Sequence, residues 1–153
     1  MLVDFVLEIS GLKMDISTSA LRQLTLQSIQ PVEASKNHEI LKEILKLEMI
    51  EWQLDKGPEI KENLFHCGFL LHLIGDYEDV ELMCEARNIN LESSCGFDVQ
   101  NLVGGGVEET IDYLEEKGLD KVAEEIKAGY YYKDFDDLPK WIAFKKKYYY
   151  PEG

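Results

Sequence analysis

The sequence predicts an all-α fold, a single domain of about seven to eight helices paired as antiparallel hairpins. Apolar residues recur at spacings of three and four through most of the chain, and the alternating pattern of a half-buried strand is almost absent. A chain of 153 residues, 45% of them hydrophobic, is also long enough to bury a core without disulfides. We therefore expect residues 1–153 to form one helical domain, with residues 131–153 as a C-terminal helix and tail packed on its body.

The first segments are predicted to be an arm followed by a helix. Residues 1–9 are expected to form a short helix or an extended arm, because a single strand there would have no partner. Residues 17–19 read Ser-Thr-Ser, and each of these side chains can cap the start of a helix over about 19–29. Pro31 is expected to end that helix.

Two longer helices are predicted next. A helix over about 33–55 carries a wide apolar stripe and is stopped by Gly57 and Pro58. The segment 59–75 is apolar on nearly all sides in its second part, a composition typical of a central helix packed against several neighbours. Gly75 is expected to end it.

The middle of the chain is predicted to hold shorter pieces. Asp76 can cap the helix DVELMCEAR, and Asp79 is placed to favour the positive end of that helix dipole. Residues 88–96 are predicted to be a loop. Residues 97–103 are expected to form about two helical turns before the glycines that follow.

The last part is predicted to hold a helical hairpin and a final helix. Residues 107–118 and 119–129 have matching apolar faces on the two sides of a glycine. A short helix over about 138–148 follows, and Trp141 and Phe144 are expected to pack on the body.

Two segments of the chain are similar to each other. GDYEDVELM, which starts at Gly75, aligns with GVEETIDYL, which starts at Gly106, at an offset of 31 residues (106 minus 75). Over about 75–120 the chain resembles the second helix and following loop of ankyrin repeats, and the helix over 59–75 resembles one of a HEAT-like pair. Residues 97–101 read Phe-Asp-Val-Gln-Asn where the ankyrin family has its Thr-Pro-Leu-His turn, so this chain departs from the family's pattern there. The resemblance implies an α-solenoid of stacked helical pairs, whose curved face is free to hold a partner.

The charge of the chain restricts its partners. There are 30 acidic and 16 basic residues, a net charge of −14. Residues 131–153 hold five lysines against four acids, which leaves 26 acids and 11 basic residues, a net of −15, in the first 130. Such a body repels nucleic acids and anionic membranes, so neither is expected as a partner. The charge is compatible with a basic protein partner, and it also agrees with a simple role in solubility.

The N-terminal residues and the cysteine pattern predict the cellular compartment of the protein. The first ten residues carry two acids and no basic residue, unlike a secretory signal, and the longest uncharged stretch, 63–75, is too short for a membrane span. The three cysteines are odd in number and contain no CxxC pair. A reducing, cytoplasmic location is therefore expected.

The glycine run at residues 104–106 is interpreted as a hinge. A phosphate loop needs backbone amides aimed at an anion and usually a lysine beside them, whereas Glu108 and Glu109 occupy the first turn of the helix here. His66 and His72 lie six residues apart, about 120° around a helix, so they do not share a metal-binding face. No cofactor, metal site or catalytic residue is predicted.

The sequence favours a non-catalytic protein-binding module with an acidic helical surface, in concrete form an immunity-type inhibitor of a basic toxin. The alternative is an enzyme that uses Cys95 as a nucleophile, or a hydrolase that uses paired carboxylates. Aromatic and acidic residues near the C-terminal part are the candidate anchors, because tyrosine is favoured at interfaces. The residues expected to contact the partner are Asp98, Asn101, Tyr131, Tyr132, Asp134, Asp136 and Asp137.

Overall fold

Eight α-helices make up most of the computed structural model, which describes residues 6–9 and 12–152. The all-α class and the predicted number of helices are confirmed. The helices are α1 (Ser19–Ser28), α2 (His38–Trp52), α3 (Glu62–Ile74), α4 (Val80–Arg87), α5 (Leu91–Gly96), α6 (Val107–Glu116), α7 (Asp120–Tyr131) and α8 (Leu138–Tyr149). Short 3-10 segments join some of them, at Pro31–Asn37, Tyr77–Asp79 and Val99–Val103.

A small antiparallel hairpin precedes the helices. Strand β1 (Val6–Ile9) pairs with β2 (Leu12–Asp15), with Val6 opposite Asp15. The prediction of a helix or arm over residues 1–9 is wrong for residues 6–9, because the partner that a lone strand lacks is supplied by the segment just after it. Residues 1–5 of that prediction lie outside the described residues.

Helix α1 begins at a polar cap, and α2 begins later than the sequence predicts. The Thr18 hydroxyl accepts a hydrogen bond from the Leu21 amide at 3.1 Å, as its place before α1 predicts. The predicted helix over 33–55 is corrected at its start. Pro31–Asn37 is a 3-10 segment, and the α-helix begins only at His38.

Helix α3 lies at the centre of the fold and packs against α1, α2 and two of the 3-10 segments. Nine of its thirteen residues are buried, which confirms the central position that its composition predicts. Gly75 ends the helix in the left-handed region at φ 71°, a conformation that glycine adopts without strain. Buried apolar residues of α1, α2, α4, α6 and α7 form one continuous cluster with those of α3.

One charged group crosses this core. Arg22 on α1 is buried, and its guanidinium donates to Glu48 on α2 at 2.6 Å and to the carbonyl of Ile16 at 2.9 Å. It also pairs with the carboxylate of Glu51. A buried charge is tolerated only when paired in this way, so Arg22 ties the end of the hairpin to both helices.

The predicted loop over 88–96 is wrong, because residues Leu91–Gly96 form α5. Asn90 caps this helix: its side chain accepts from the Ser93 amide at 2.9 Å, and the Ser93 hydroxyl accepts from the Asn90 amide at 3.0 Å. This reciprocal pair is a capping box. Asn followed three residues later by Ser is therefore the sequence signal that predicts the helix.

The glycine run is a point of close contact between backbones, as the hinge interpretation predicts. A side chain on Gly104 would overlap the carbonyl of His72, and one on Gly105 would overlap the ring of Tyr77. Gly106, at φ 102°, is the residue before α6. After this turn α6 and α7 form the predicted hairpin, which packs against the 3-10 segment Val99–Val103.

Helix α8 has no fully buried residue. It is attached through Trp141, whose indole N–H donates to Asp98 at 2.9 Å and whose ring meets Phe69 and His72 edge-on. The expectation that Phe144 packs inward is wrong, since its side chain is 63% exposed. The stacking of helical pairs into a solenoid stays a prediction.

Candidate functional site

Five of the seven predicted contact residues lie together where α7 ends. Tyr131 and Tyr132 are 80% and 72% exposed, and their rings meet edge-on with centroids 5.0 Å apart. Asp136 and Asp137 are exposed and Asp134 is half-buried. Acidic and aromatic side chains therefore share one stretch of surface.

The turn that carries these residues has a defined geometry. The amide of Asp134 donates to the carbonyl of Gly129 at 2.8 Å, and the amide of Lys133 donates to Tyr130 at 3.1 Å. Lys133 itself has φ 60°. These bonds form a Schellman motif, in which the left-handed position normally belongs to glycine. The ring of Phe135 then packs on Gly129, which leaves room for it by having no side chain.

The other two predicted residues are placed differently. Asn101 is only 2% exposed and lies in the core, where a partner cannot reach it. Asp98 is half-buried and already accepts from Trp141 and from Lys145, the latter at 2.8 Å. Both residues serve the packing of α3 and α8, so they are not part of the exposed surface.

Helix α6 adds acids to this surface that are not among the predicted contact residues. Glu108 and Glu109 are exposed in its first turn. Burial, and after it the field of these two carboxylates, raises the pKa of the Tyr130 hydroxyl on α7. We use the name acidic tyrosine surface for Glu108, Glu109, Tyr130, Tyr131, Tyr132, Asp134, Asp136 and Asp137. Its extension onto α6 depends on how α6 and α7 pack, which residue spacing within one helix does not predict.

The cysteines differ in their surroundings. Cys67 is buried, its thiol donates to the carbonyl of Leu41 at 3.0 Å, and burial raises its pKa well above the ordinary value. Burial also raises the pKa of Cys84 to about 12, and its thiol lies 3.5 Å from Glu125. Cys95 on α5 is exposed.

Two histidines of α3 are engaged in packing rather than with a cysteine. His66 contacts the hydroxyl of Tyr150 at 2.9 Å and stacks on the ring of Tyr149. Nδ1 of His72 lies 2.8 Å from the carbonyl of Gln100. Burial lowers the pKa of both rings, to about 4 for His66. Both histidines are therefore neutral near pH 7, as core residues are.

A third histidine joins two carboxylates that sequence reasoning did not bring together. Nε2 of His38 lies 2.7 Å from the buried carboxylate of Asp79, and Nδ1 lies 4.0 Å from Asp76. Burial raises the pKa of Asp79, while the bond from His38 lowers it. Their possible ligand atoms lie within 4.8 Å of one another, the kind of donor set that can hold a metal ion. Here the three groups fix the start of α2 to the turn between α3 and α4.

No helix within the described residues is both long enough and apolar enough to cross a bilayer. A scan of protein-family models found no match to the chain, and searches of curated proteins and of solved structures found none either. The resemblance to ankyrin and HEAT-like repeats stays a prediction.

Proposed function

We propose that this protein is a non-catalytic binding module whose acidic tyrosine surface holds a basic partner protein. In its concrete form it is an immunity-type inhibitor that covers a basic toxin. The exposure of Tyr131 and Tyr132 beside a group of carboxylates carries the proposal. Aromatic rings of this kind act as anchors in interfaces, and carboxylates around them attract a cationic partner and orient it.

The net charge of −14 supports the same chemistry over a longer range. An acidic protein speeds its encounter with a basic one, and this acceleration falls as salt screens the charges. The anchors contribute after contact, by burying aromatic area that salt does not screen. The proposal therefore predicts a complex that forms more slowly at high salt and dissociates faster when the tyrosines are removed.

The test is affinity capture from cells of the source organism, followed by a binding measurement with the captured protein. The baits are the wild-type chain, a Glu108→Gln/Glu109→Gln variant and a Tyr131→Ala/Tyr132→Ala variant. We expect the wild type to capture a basic protein, and each variant to bind it at least about tenfold more weakly. If the captured protein is toxic alone and harmless in the complex, the inhibitor form of the proposal is supported.

The matched control is Asp55→Asn/Glu59→Gln, which removes the same charge from two exposed residues between α2 and α3. It should bind like the wild type apart from a small loss of long-range attraction. A captured protein that binds the wild type and all three variants equally, or that is acidic, would contradict the proposal.

The exposure of Cys95 favours the thiol enzyme as the second candidate. A catalytic thiol needs a base in contact, and His38, His66 and His72 bond to other groups. One substitution distinguishes the thiol enzyme from the binding module. Cys95→Ser would abolish the activity of a thiol enzyme but would leave the capture of a basic partner unchanged.

A further inference from the structure

A small cavity lies between the start of α3 and the C-terminal half of α8. It is not part of the acidic tyrosine surface. Its volume is about 130 Å³, enough for the end of one side chain. Four aromatic rings take part in its lining, together with one glycine and two charged groups. The lining residues are Glu62, Phe65, Gly96, Phe144, Lys145, Tyr148 and Tyr149.

Two of these rings are exposed without an evident structural reason. Phe144 and Tyr148 are 63% and 54% exposed, and they lie nearly parallel, with centroids 6.4 Å apart and planes 18° apart. They stand one helical turn apart on α8, three and seven residues after Trp141, so they continue the stripe of the helix that begins at Trp141. Large aromatic surfaces left in water at a cavity are typical of a binding site.

The charges of the cavity favour a cation. Glu62 is exposed and takes part in no ion pair within the described residues, and its carboxylate raises the pKa of the Tyr148 hydroxyl beside it. Lys145 also reaches the cavity, but its ammonium is paired with Asp98 at 2.8 Å. The same ammonium lies 6.0 Å from the centre of the Tyr149 ring. An aromatic wall remains, and the carboxylate at its edge forms no ion pair within the described residues.

We propose that this cavity binds the guanidinium of an arginine side chain on the basic partner, with its plane on the rings of Phe144 and Tyr148 and its N–H groups on Glu62. Arginine fits better than lysine, because a flat guanidinium is weakly hydrated, stacks on aromatic rings and can bond a carboxylate with two parallel hydrogen bonds. This inference rests on the proposed function, since it names an anchor for the same basic partner.

The test is an NMR titration of the whole protein with N-acetylarginine amide. N-acetylcitrulline amide, which has nearly the same shape and no charge, is the control ligand. We expect saturable shifts in the ring signals of Phe65, Phe144 and Tyr148 with the arginine compound, and at least about fivefold weaker binding of the citrulline compound. Equal binding of the two compounds, or no shift at these rings, would overturn the inference.

Variants locate the site within the chain. Glu62→Gln and Phe144→Ala change exposed side chains, so both proteins should fold, and each should weaken arginine binding at least about fivefold. Glu59→Gln, which removes an exposed carboxylate three residues earlier and outside α3, should leave arginine binding unchanged. Arginine binding that survives both Glu62→Gln and Phe144→Ala would place the ligand elsewhere and overturn the inference.

The two proposals can fail separately. A basic partner whose affinity is lowered by the α6 and α7 variants, but not by Glu62→Gln or Phe144→Ala, overturns only the arginine site. Failure to bind any basic protein overturns the proposed function, whereas the titration with N-acetylarginine amide still reports on the cavity itself.

Discussion

Nε2 of His66 lies 2.9 Å from the hydroxyl of Tyr150, and the same hydroxyl lies 2.5 Å from the carbonyl of Ile29. The tyrosine has one proton, and a carbonyl can only accept, so Tyr150 donates to Ile29 and accepts from the N–H of His66. This chain of two hydrogen bonds joins the end of α8 to the centre of α3 and to the end of α1.

Tyr150→Phe should therefore destabilise the protein. The Ile29 carbonyl and the His66 ring would lose their partner in a place that water reaches poorly, at a cost of about 1–3 kcal/mol in the free energy of unfolding. Urea denaturation measures the loss. Tyr148→Phe is the control, because its hydroxyl is at the surface and its removal should cost under about 0.5 kcal/mol. Similar losses for the two variants would contradict the assigned hydrogen bonds.

Acid should destabilise the protein through His66. In the unfolded chain the ring binds a proton as the pH falls through about 6.5, whereas burial in the folded protein delays this to about 4. The unfolded state therefore binds more protons between these values, and stability is lost as the pH falls through that window. The loss from this group reaches up to about 3 kcal/mol. The lowered pKa of His72 acts in the same direction.

Urea titrations between about pH 7 and pH 4 measure this loss, and His66→Gln is the comparison because glutamine does not titrate. The free energy of unfolding of the variant should fall less steeply over the window than that of the wild type. Parallel curves for the two proteins would show that His66 takes up its proton equally well in the folded state.

Gly104→Ala should be strongly destabilising for steric reasons. The added methyl group would overlap the carbonyl of His72, a backbone atom that cannot move without shifting α3. We expect a cost of about 3 kcal/mol in thermal or urea unfolding. Gly57→Ala separates steric overlap from backbone strain. Gly57 has φ 64° and open space around it, so its substitution should cost only about 1 kcal/mol, from backbone strain alone. A smaller loss at Gly104 than at Gly57 would contradict the close approach.

Lys133→Gly should stabilise the protein. A lysine held at φ 60° carries a backbone strain that glycine does not. Glycine loses more conformational entropy on folding, but relief of the strain should outweigh this cost and raise the free energy of unfolding by up to about 1 kcal/mol. Lys133→Ala is the control, because alanine removes the charge but keeps the strain. A gain for alanine equal to that for glycine would assign the effect to charge instead of backbone conformation.

The cysteines should react in two separate stages with a thiol reagent. Cys95 is exposed and should be modified in the native protein, whereas Cys67 and Cys84 are buried and should react only on unfolding. Mass spectrometry at increasing urea concentration counts the modified thiols. Two or more modifications without urea would contradict the burial of Cys67 and Cys84.

The helical periodicity of the apolar residues predicts most of the helices of the fold. Helix α3 is recognisable because its apolar residues face all sides and Gly75 follows it, and both signals are local. The hairpin at the start is not recognisable in this way, because the pairing of β1 with β2 depends on a contact between two short segments. Helix α5 is missed for another reason: it has six residues, and only the Asn90 and Ser93 capping pair marks it.

The surface could be predicted only in part from the sequence. Tyr131 and Tyr132 follow a helix end and are followed by acids, so their exposure can be expected from neighbours in the chain. The burial of Asn101 and the effect of Glu108 on the pKa of Tyr130 depend on how distant segments pack. The same holds for the cavity at Glu62, whose wall comes from α8, about eighty residues later along the chain.

Because α8 holds no fully buried residue, its amide hydrogens should exchange with solvent through detachment of this helix alone, while those of α3 wait for global unfolding. The cavity exists only while α8 is docked. A guanidinium that occupies it would therefore slow the exchange of the α8 amides. The apparent affinity of the cavity for a guanidinium would in turn depend on the fraction of molecules in which α8 is docked.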